Sequence, residues 1–291
     1  MKNDIWIDSL NKIASSKEDA ELINTMVRKT LLYRPLLDIH WRDHSFASSI
    51  SEAIHFLKQV QDDKFIEVKI MTNGLQACQG KSKELIEPNH PLTRSFKWIL
   101  GLPKIPQILF DRVKIWDEAI RLADPSRSFY EFGVWRGRSF KYFMNKGKFK
   151  KGFGFDTFTG LPEKWYHLQP KGAFSAYGEI PTIAGAEFIE GEFKDTLPKF
   201  FSKKRPLASL INFDADLYSS TSCALTYCRD VIDEKTILIF DEFLETTNRE
   251  WELDEYKAFM EFCKKFNLTY KVLVVSFCTR QVIMKVKYEN N

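Results

Sequence analysis

Paired cysteines are the first thing this sequence lacks. Its five cysteines, Cys78, Cys223, Cys228, Cys263 and Cys278, form no CxxC or other metal-ligand spacing, and an odd count in 291 residues argues against a disulfide scaffold. They read as reduced core thiols, which makes the cytoplasm the expected location. Long apolar runs are also missing: no stretch approaches the roughly 20 residues needed to span a bilayer. The first residues, MKNDIWIDSLNKIASS, alternate polar and apolar instead of forming a signal segment. Nor is there an excess of one charge. Lysine and arginine number 43 against 39 acidic residues, interspersed along the chain, so a net charge of +4 leaves no electrostatic footprint for nucleic acid. The one dense basic run, KGKFKKG (146–152), reads as a solvated loop.

What is present is an ordinary globular composition, 44% hydrophobic and 28% charged, in a chain long enough to bury a large core. Its character changes near residue 125. Before that point apolar residues recur at helical spacing in ELINTMVRKTLL (21–32), SSISEAIHFLKQV (48–60) and LFDRVKIWDEAIRLA (109–123), with Pro-containing connections at EPNHPL (87–92) and GLPKIPQ (101–107). HWRDH places His40 and His44 at i, i+4, but neither the glutamate of a zinc-protease motif nor a third ligand stands nearby. Residues 1–105 are expected to form a helical extension, contributing a substrate cover or homo-oligomer contacts, and 106–291 the main domain.

From residue 125 onward, short β-rich runs alternate with helical ones, the signature of a parallel sheet with crossover helices. Strands are expected at 128–133, 152–158, 186–191, 207–214 and 236–243, and helices at 138–146, 196–201, 220–232 and 251–266. The last two runs, LTYKVLVVSF (268–277) and RQVIMKVKY (280–288), are too close for a helical crossover and must pair antiparallel. The expectation is therefore an α/β, Rossmann-like, mostly parallel sheet with a C-terminal antiparallel hairpin.

Open α/β sheets bind ligands outside the carboxyl ends of their strands. The first strand runs into YEFGVWRGRSF, where Glu131, Gly133 and Gly137 form a turn that lets backbone approach a ligand and opens onto a helix N-terminus. The spacing lacks the middle glycine of G-x-G-x-x-G, which disfavours a dinucleotide. About twenty residues on, GFDTFTGLPE supplies Asp156, placed to accept hydrogen bonds from ribose hydroxyls, followed by Thr157. Asp-Thr before Gly-Leu-Pro is also ordinary turn chemistry, but two matching strand ends together favour a nucleoside-containing ligand. The fourth and fifth strands end in FDADLY (213–218) and FDEF (240–243). Asp214, Asp216, Asp241 and Glu242 would thus converge, and crowded carboxylates require raised pKa values or a cation. Hard oxygen ligands suit Mg²⁺, with Ca²⁺ and Mn²⁺ compatible by ligand type.

Taken in order, YEFGVWRGRSF, GFDTFTGLPE, EGEFKDTLP, INFDADLYSST and LIFDEF resemble the macrocin O-methyltransferase family, metal-dependent and S-adenosylmethionine-dependent enzymes that methylate sugar hydroxyls of natural products. The resemblance covers about residues 105–287 and implies a seven-stranded class I methyltransferase fold. It implies that Glu131, Gly133 and Ser139 lie along the cofactor, with Ser139 at its methionine carboxylate, and that Asp156 holds the ribose. It also implies metal ligands at Asp214, Asp241 and Glu242 and a general base at Asp216. The family usually has Asp-Asp where this chain has Asp241-Glu242, so the extra methylene puts the ligand role of Glu242 in question. His167, in the long aromatic loop after the second strand, is a surface histidine without a catalytic role, a rival base or a lid residue. The expected acceptor is a small molecule or glycan. A nicotinamide-dependent oxidoreductase would share the glycine turn and ribose acid but leave the carboxylates and final hairpin unexplained. A non-catalytic methyltransferase-like binding protein is the third reading.

Overall fold

The structure is a computed structural model that describes residues 47–59, 66–166, 169–244 and 250–288. The helical stretch 21–32, the His40/His44 pair and His167 lie outside the described residues. Helices α1 (Ile50–Gln59), α2 (Ile66–Cys78) and α3 (Pro91–Leu100) come first. The connection at 87–92 in fact starts α3. His90 Nδ1 accepts from the Leu92 N–H at 3.2 Å, and Pro91 occupies the first turn, where a missing N–H costs nothing.

The strands are β1 (Gln107–Ile108), β2 (Ser128–Phe132), β3 (Gly152–Asp156), β4 (Ala186–Glu190), β5 (Ala208–Phe213), β6 (Ile237–Phe240), β7 (Leu268–Val275) and β8 (Val282–Tyr288). They are joined by α4 (Arg112–Leu122), α5 (Arg138–Gly147), α6 (Phe193–Phe201), α7 (Tyr218–Cys228) and α8 (Glu255–Phe266). The sheet order is β1-β7-β8-β6-β5-β2-β3-β4, parallel throughout except for β8, which lies antiparallel between β6 and β7. Among the described residues the sheet has eight strands rather than seven because β1 adds an edge beside β7, pairing Gln107 with Val274 and Ile108 with Val275. Two residues are too few to show an alternation in sequence. The hairpin connection is also wider than the two residues expected, running over 276–281.

Strands β2, β5 and β6 are buried along their whole length, as strands covered by helices on both faces must be. Their side chains divide between two cores. Tyr130, Phe132, Ile211, Phe213, Leu238 and Phe240 join the core under α1, α2, α3, α6, α7 and α8, while Phe129, Leu210, Ile237 and Ile239 face α4 and α5. The N-terminal helices share that first core with the sheet, through Leu57, Leu75 and Phe96.

Gly74 in α2 leaves no room for a side chain in this packing. A Cβ there would lie 2.3 Å from the Phe96 ring, which itself stacks on Phe277 at 3.9 Å. On an open helix surface Gly→Ala would stabilise by about 1 kcal/mol. Here Gly74→Ala is expected to destabilise by about 1–3 kcal/mol through overpacking, seen as a lower denaturant midpoint at unchanged m-value.

Candidate active site

Four neighbouring strands carry a phenylalanine at or next to their last position. Phe155, Phe132, Phe213 and Phe240 are paired in register across β3, β2, β5 and β6, and their rings stack with centroids 4.9, 5.4 and 4.7 Å apart. The residue after each is Asp156, Gly133, Asp214 and Asp241 respectively. The ladder of hydrogen bonds continues one step past the rings: Gly133 N–H to Phe155 O at 2.9 Å, Asp214 N–H to Phe132 O at 2.8 Å and Asp241 N–H to Phe213 O at 3.0 Å. Those residues therefore stand in a row along the carboxyl edge of the sheet. The row straddles β2 and β5, where the strand order reverses and such sheets place their ligands.

Gly133 adopts φ +92, and a Cβ there would meet the carbonyl oxygen of Asp214 at 1.8 Å, so only glycine allows the two strand ends to touch. Gly137, at φ +73, opens α5 with no side-chain cap. Ser139 is buried in the first turn of that helix. Asp156 is committed to the turn it faces. Its Oδ2 accepts from the N–H groups of Val134 and Trp135 at 2.7 and 2.8 Å, and its Oδ1 from Phe158 N–H at 2.7 Å. Thr157 donates to Gly160 O at 2.8 Å. Beside these two residues a cavity of about 290 Å³ opens between the ends of β3 and β4, lined by Thr157, Gly160, Leu161, Glu190, Gly191 and Glu192 among others.

Glu131 is fully buried, one pleat below the edge, directly opposite Asn212. Asn212 Nδ2 donates to its Oε1 at 2.7 Å, while Glu131 Oε2 and Asn212 Oδ1 have no partner among the described residues. Burial pushes the Glu131 carboxyl up to about 8, with Asn212 and Ser139 opposing as hydrogen-bond partners.

The strand-end acids do come together. Burial, then the charges of Asp241 and Asp216, push the Asp214 carboxyl well above the ordinary range, with Arg112 opposing. Asp216 sits in the left-handed region at φ +60, behind a tight turn in which Leu217 N–H donates to Ala215 O at 2.6 Å. The other two acids are ion-paired. Asp241 Oδ1 accepts from Arg112 Nη1 at 2.7 Å and from Gln281 Nε2 at 2.6 Å. Glu242 Oε1 lies 2.5 Å from Arg280 Nη2, and its backbone N–H donates to Glu255 at 2.9 Å. Glu255 is itself buried and pushed well above the usual carboxylate range by that burial. Among the described residues no three His, Cys, Asp or Glu side chains stand together as a metal-holding group. With Asp241 and Glu242 taken by guanidiniums, the residues as placed do not fit the expected ligand set.

Sequence reasoning missed Arg112, Asn212, Glu255, Arg280 and Gln281. Asn212 carried a signal, a polar residue inside the apolar run LINF opposite another in YEF. The repeated Phe before Gly or Asp at four strand ends was a second signal.

Sheet order and the strand-end glycine and acids together define a Rossmann-like α/β fold finished by an antiparallel hairpin. Residues 169–268 match the family model described as Macrocin-O-methyltransferase (TylF). Three of the five motifs that carry the resemblance, EGEFKDTLP, INFDADLYSST and LIFDEF, lie within the matched residues, and the enzyme class the match points to is an O-methyltransferase. Among solved structures, the calicheamicin methyltransferase CalS11 is 20% identical, covering 72% of this chain and 96% of its own, with a TM-score of 0.48. The O-methyltransferase NovP is 18% identical over 60% of this chain and 80% of its own, at 0.44. An O-methyltransferase from Bacillus cereus is 14% identical over 82% of this chain and 100% of its own, at 0.38. No curated protein matches the chain. Among the described residues no helix is long and apolar enough to cross a membrane.

Two measurements follow from this geometry. Arg112→Ala would leave Asp241 buried without its ion pair, at an expected cost of about 3–5 kcal/mol in unfolding free energy. Glu131 binds its proton more tightly folded than unfolded, so the unfolded chain releases protons first as pH rises and stability falls until the folded carboxyl titrates near 8. In Glu131→Gln, melting temperature between pH 5 and 8 is expected to fall less steeply than in the wild type. Equal slopes would contradict the buried, protonated state.

Proposed function

We propose that this chain is an S-adenosylmethionine-dependent O-methyltransferase that methylates a hydroxyl of a sugar or glycosylated natural product. The observation that carries this reading is the row Asp156, Gly133, Asp214 and Asp241 at the reversal point of the sheet, in a chain whose residues 169–268 match the macrocin-O-methyltransferase model. Two features fit the cofactor: the uncapped N-terminus of α5 and the backbone contact that Gly133 permits. Glu131, Gly133, Gly137 and Ser139 would hold its amino-acid part, and Asp156 and Thr157 would border its nucleoside part beside the cavity at β3 and β4. When bound, S-adenosylmethionine would supply an electrophilic sulfonium methyl for transfer to the acceptor oxygen, with the thioether as leaving group.

The protein has two tasks in that step. Holding the acceptor oxygen in line contributes up to about 7–11 kcal/mol in well-oriented reactions. Taking the hydroxyl proton is assigned to Asp216. A non-glycine residue held at positive φ costs about 1–3 kcal/mol in general, less for aspartate, and such strain concentrates where a side chain must be aimed. The resemblance also implied Mg²⁺, but because Asp241 and Glu242 are bound to Arg112, Gln281 and Arg280, no step is routed through an ion. Five unpaired cysteines support the cytoplasm as the location.

Calorimetry should show S-adenosylhomocysteine binding and no NADH binding; the reverse would replace this reading with an oxidoreductase. Asp216→Asn keeps the side-chain shape and tolerance of positive φ while removing the base. It is expected to lower turnover by about 10²–10⁴-fold with S-adenosylhomocysteine affinity unchanged. Wild-type turnover in that variant would exclude Asp216 as the base. A labelled methyl-transfer screen over sugar nucleotides, glycans and natural-product glycosides identifies the acceptor.

A further inference from the structure

We propose that the cation of this site is built into the chain: Arg112 and Arg280 occupy the strand-end carboxylates Asp241 and Glu242, and methyl transfer proceeds without a resident divalent ion. The inference rests on the reading of the chain as a methyltransferase and departs from the metal dependence that its resemblance implies.

The pairing is constructed from two directions. Arg112 is the first residue of α4, a helix whose start is fixed by Asp111 Oδ1 accepting from Lys114 N–H at 2.8 Å. From there its guanidinium, almost wholly buried, reaches Asp241 at 2.7 Å. From the other side comes the connection at 276–281. Leu244 N–H donates to Arg280 O at 3.1 Å and Ser276 N–H to Gln281 O at 2.9 Å, while Thr279 Oγ1 donates to Gln281 Oε1 at 3.0 Å. Arg280 is held at φ +64 by this turn. Consecutive residues Arg280 and Gln281 thereby grip the consecutive residues Glu242 and Asp241, at 2.5 and 2.6 Å.

Both hydrogen bonds to Asp241 fall on the same oxygen, Oδ1. A divalent ion taking that oxygen would have to displace two donors. It would then stand against a guanidinium in a poorly screened setting, where like charges repel most strongly. Glu242, one methylene longer than aspartate, is turned to Arg280, and its backbone N–H is tied to Glu255 at 2.9 Å. Planar, permanently charged guanidinium is the side chain best suited to neutralise buried carboxylates. The proton path stays as stated above, from acceptor hydroxyl to Asp216, and needs no further co-reactant.

The test is Mn²⁺ titration of the full chain followed by electron paramagnetic resonance, paired with S-adenosylhomocysteine calorimetry in EDTA and in Mg²⁺. The wild type is expected to leave the free Mn²⁺ signal undiminished and to bind S-adenosylhomocysteine equally in both buffers. Arg280→Ala, and Arg280→Gln as a polar second variant, are expected to acquire Mn²⁺ binding by exposing Glu242. One Mn²⁺ bound per wild-type chain and lost in Asp214→Asn would overturn the proposal, as would folded Arg280 variants that take up none. Absence of S-adenosylhomocysteine binding would instead remove the methyltransferase reading, while the Mn²⁺ signal still decides the question of the ion.

Discussion

The stacked phenylalanines at the ends of β3, β2, β5 and β6 are the constraint on which the site depends. A one-residue slip in any of these strands would move its ring to the other face and carry the following residue out of line. Ring-on-ring contact at 4.7–5.4 Å, buried under α6, α7 and α8, makes such a slip costly. The functional row inherits its precision from that apolar contact beneath it. The acids themselves supply none, since Asp214, Asp216 and Asp241 repel one another.

A second layer of control is electrostatic. A buried edge carrying this many carboxylates must shed charge or find a counter-charge. The structure uses both. Glu131, Asp214 and Glu255 are shifted toward the protonated form by burial, whereas Asp241 and Glu242 are matched by guanidiniums from α4 and from the β7–β8 connection. The antiparallel hairpin, an unusual finish for a parallel sheet, therefore does more than close the edge. It delivers Arg280 and Gln281 to the reversal point, a distance of about forty residues in sequence from the acids they meet.

Much of the architecture was legible because its cause is local. Apolar runs bounded by turn residues located β2 through β8 to within a few residues, and the short gap between the last two dictated their antiparallel pairing. Gly133 and the acids Asp156, Asp214 and Asp241 were legible because each stands at the end of a strand, and Gly137 because it opens the helix after the first of them. What stayed hidden were β1, too short to show a period, and α2 and α3, whose patterns had not stood out between their neighbours.

The sequence by itself determined which chemistry the sheet edge carries: glycines where backbone must approach and carboxylates where strands end. Only the tertiary structure decided how those carboxylates are neutralised. Arg112, Arg280 and Gln281 carry no motif; they act through long-range proximity, set by how α4 and the last hairpin dock. That proximity decides that Glu242 faces Arg280, a choice its extra methylene left open in the sequence.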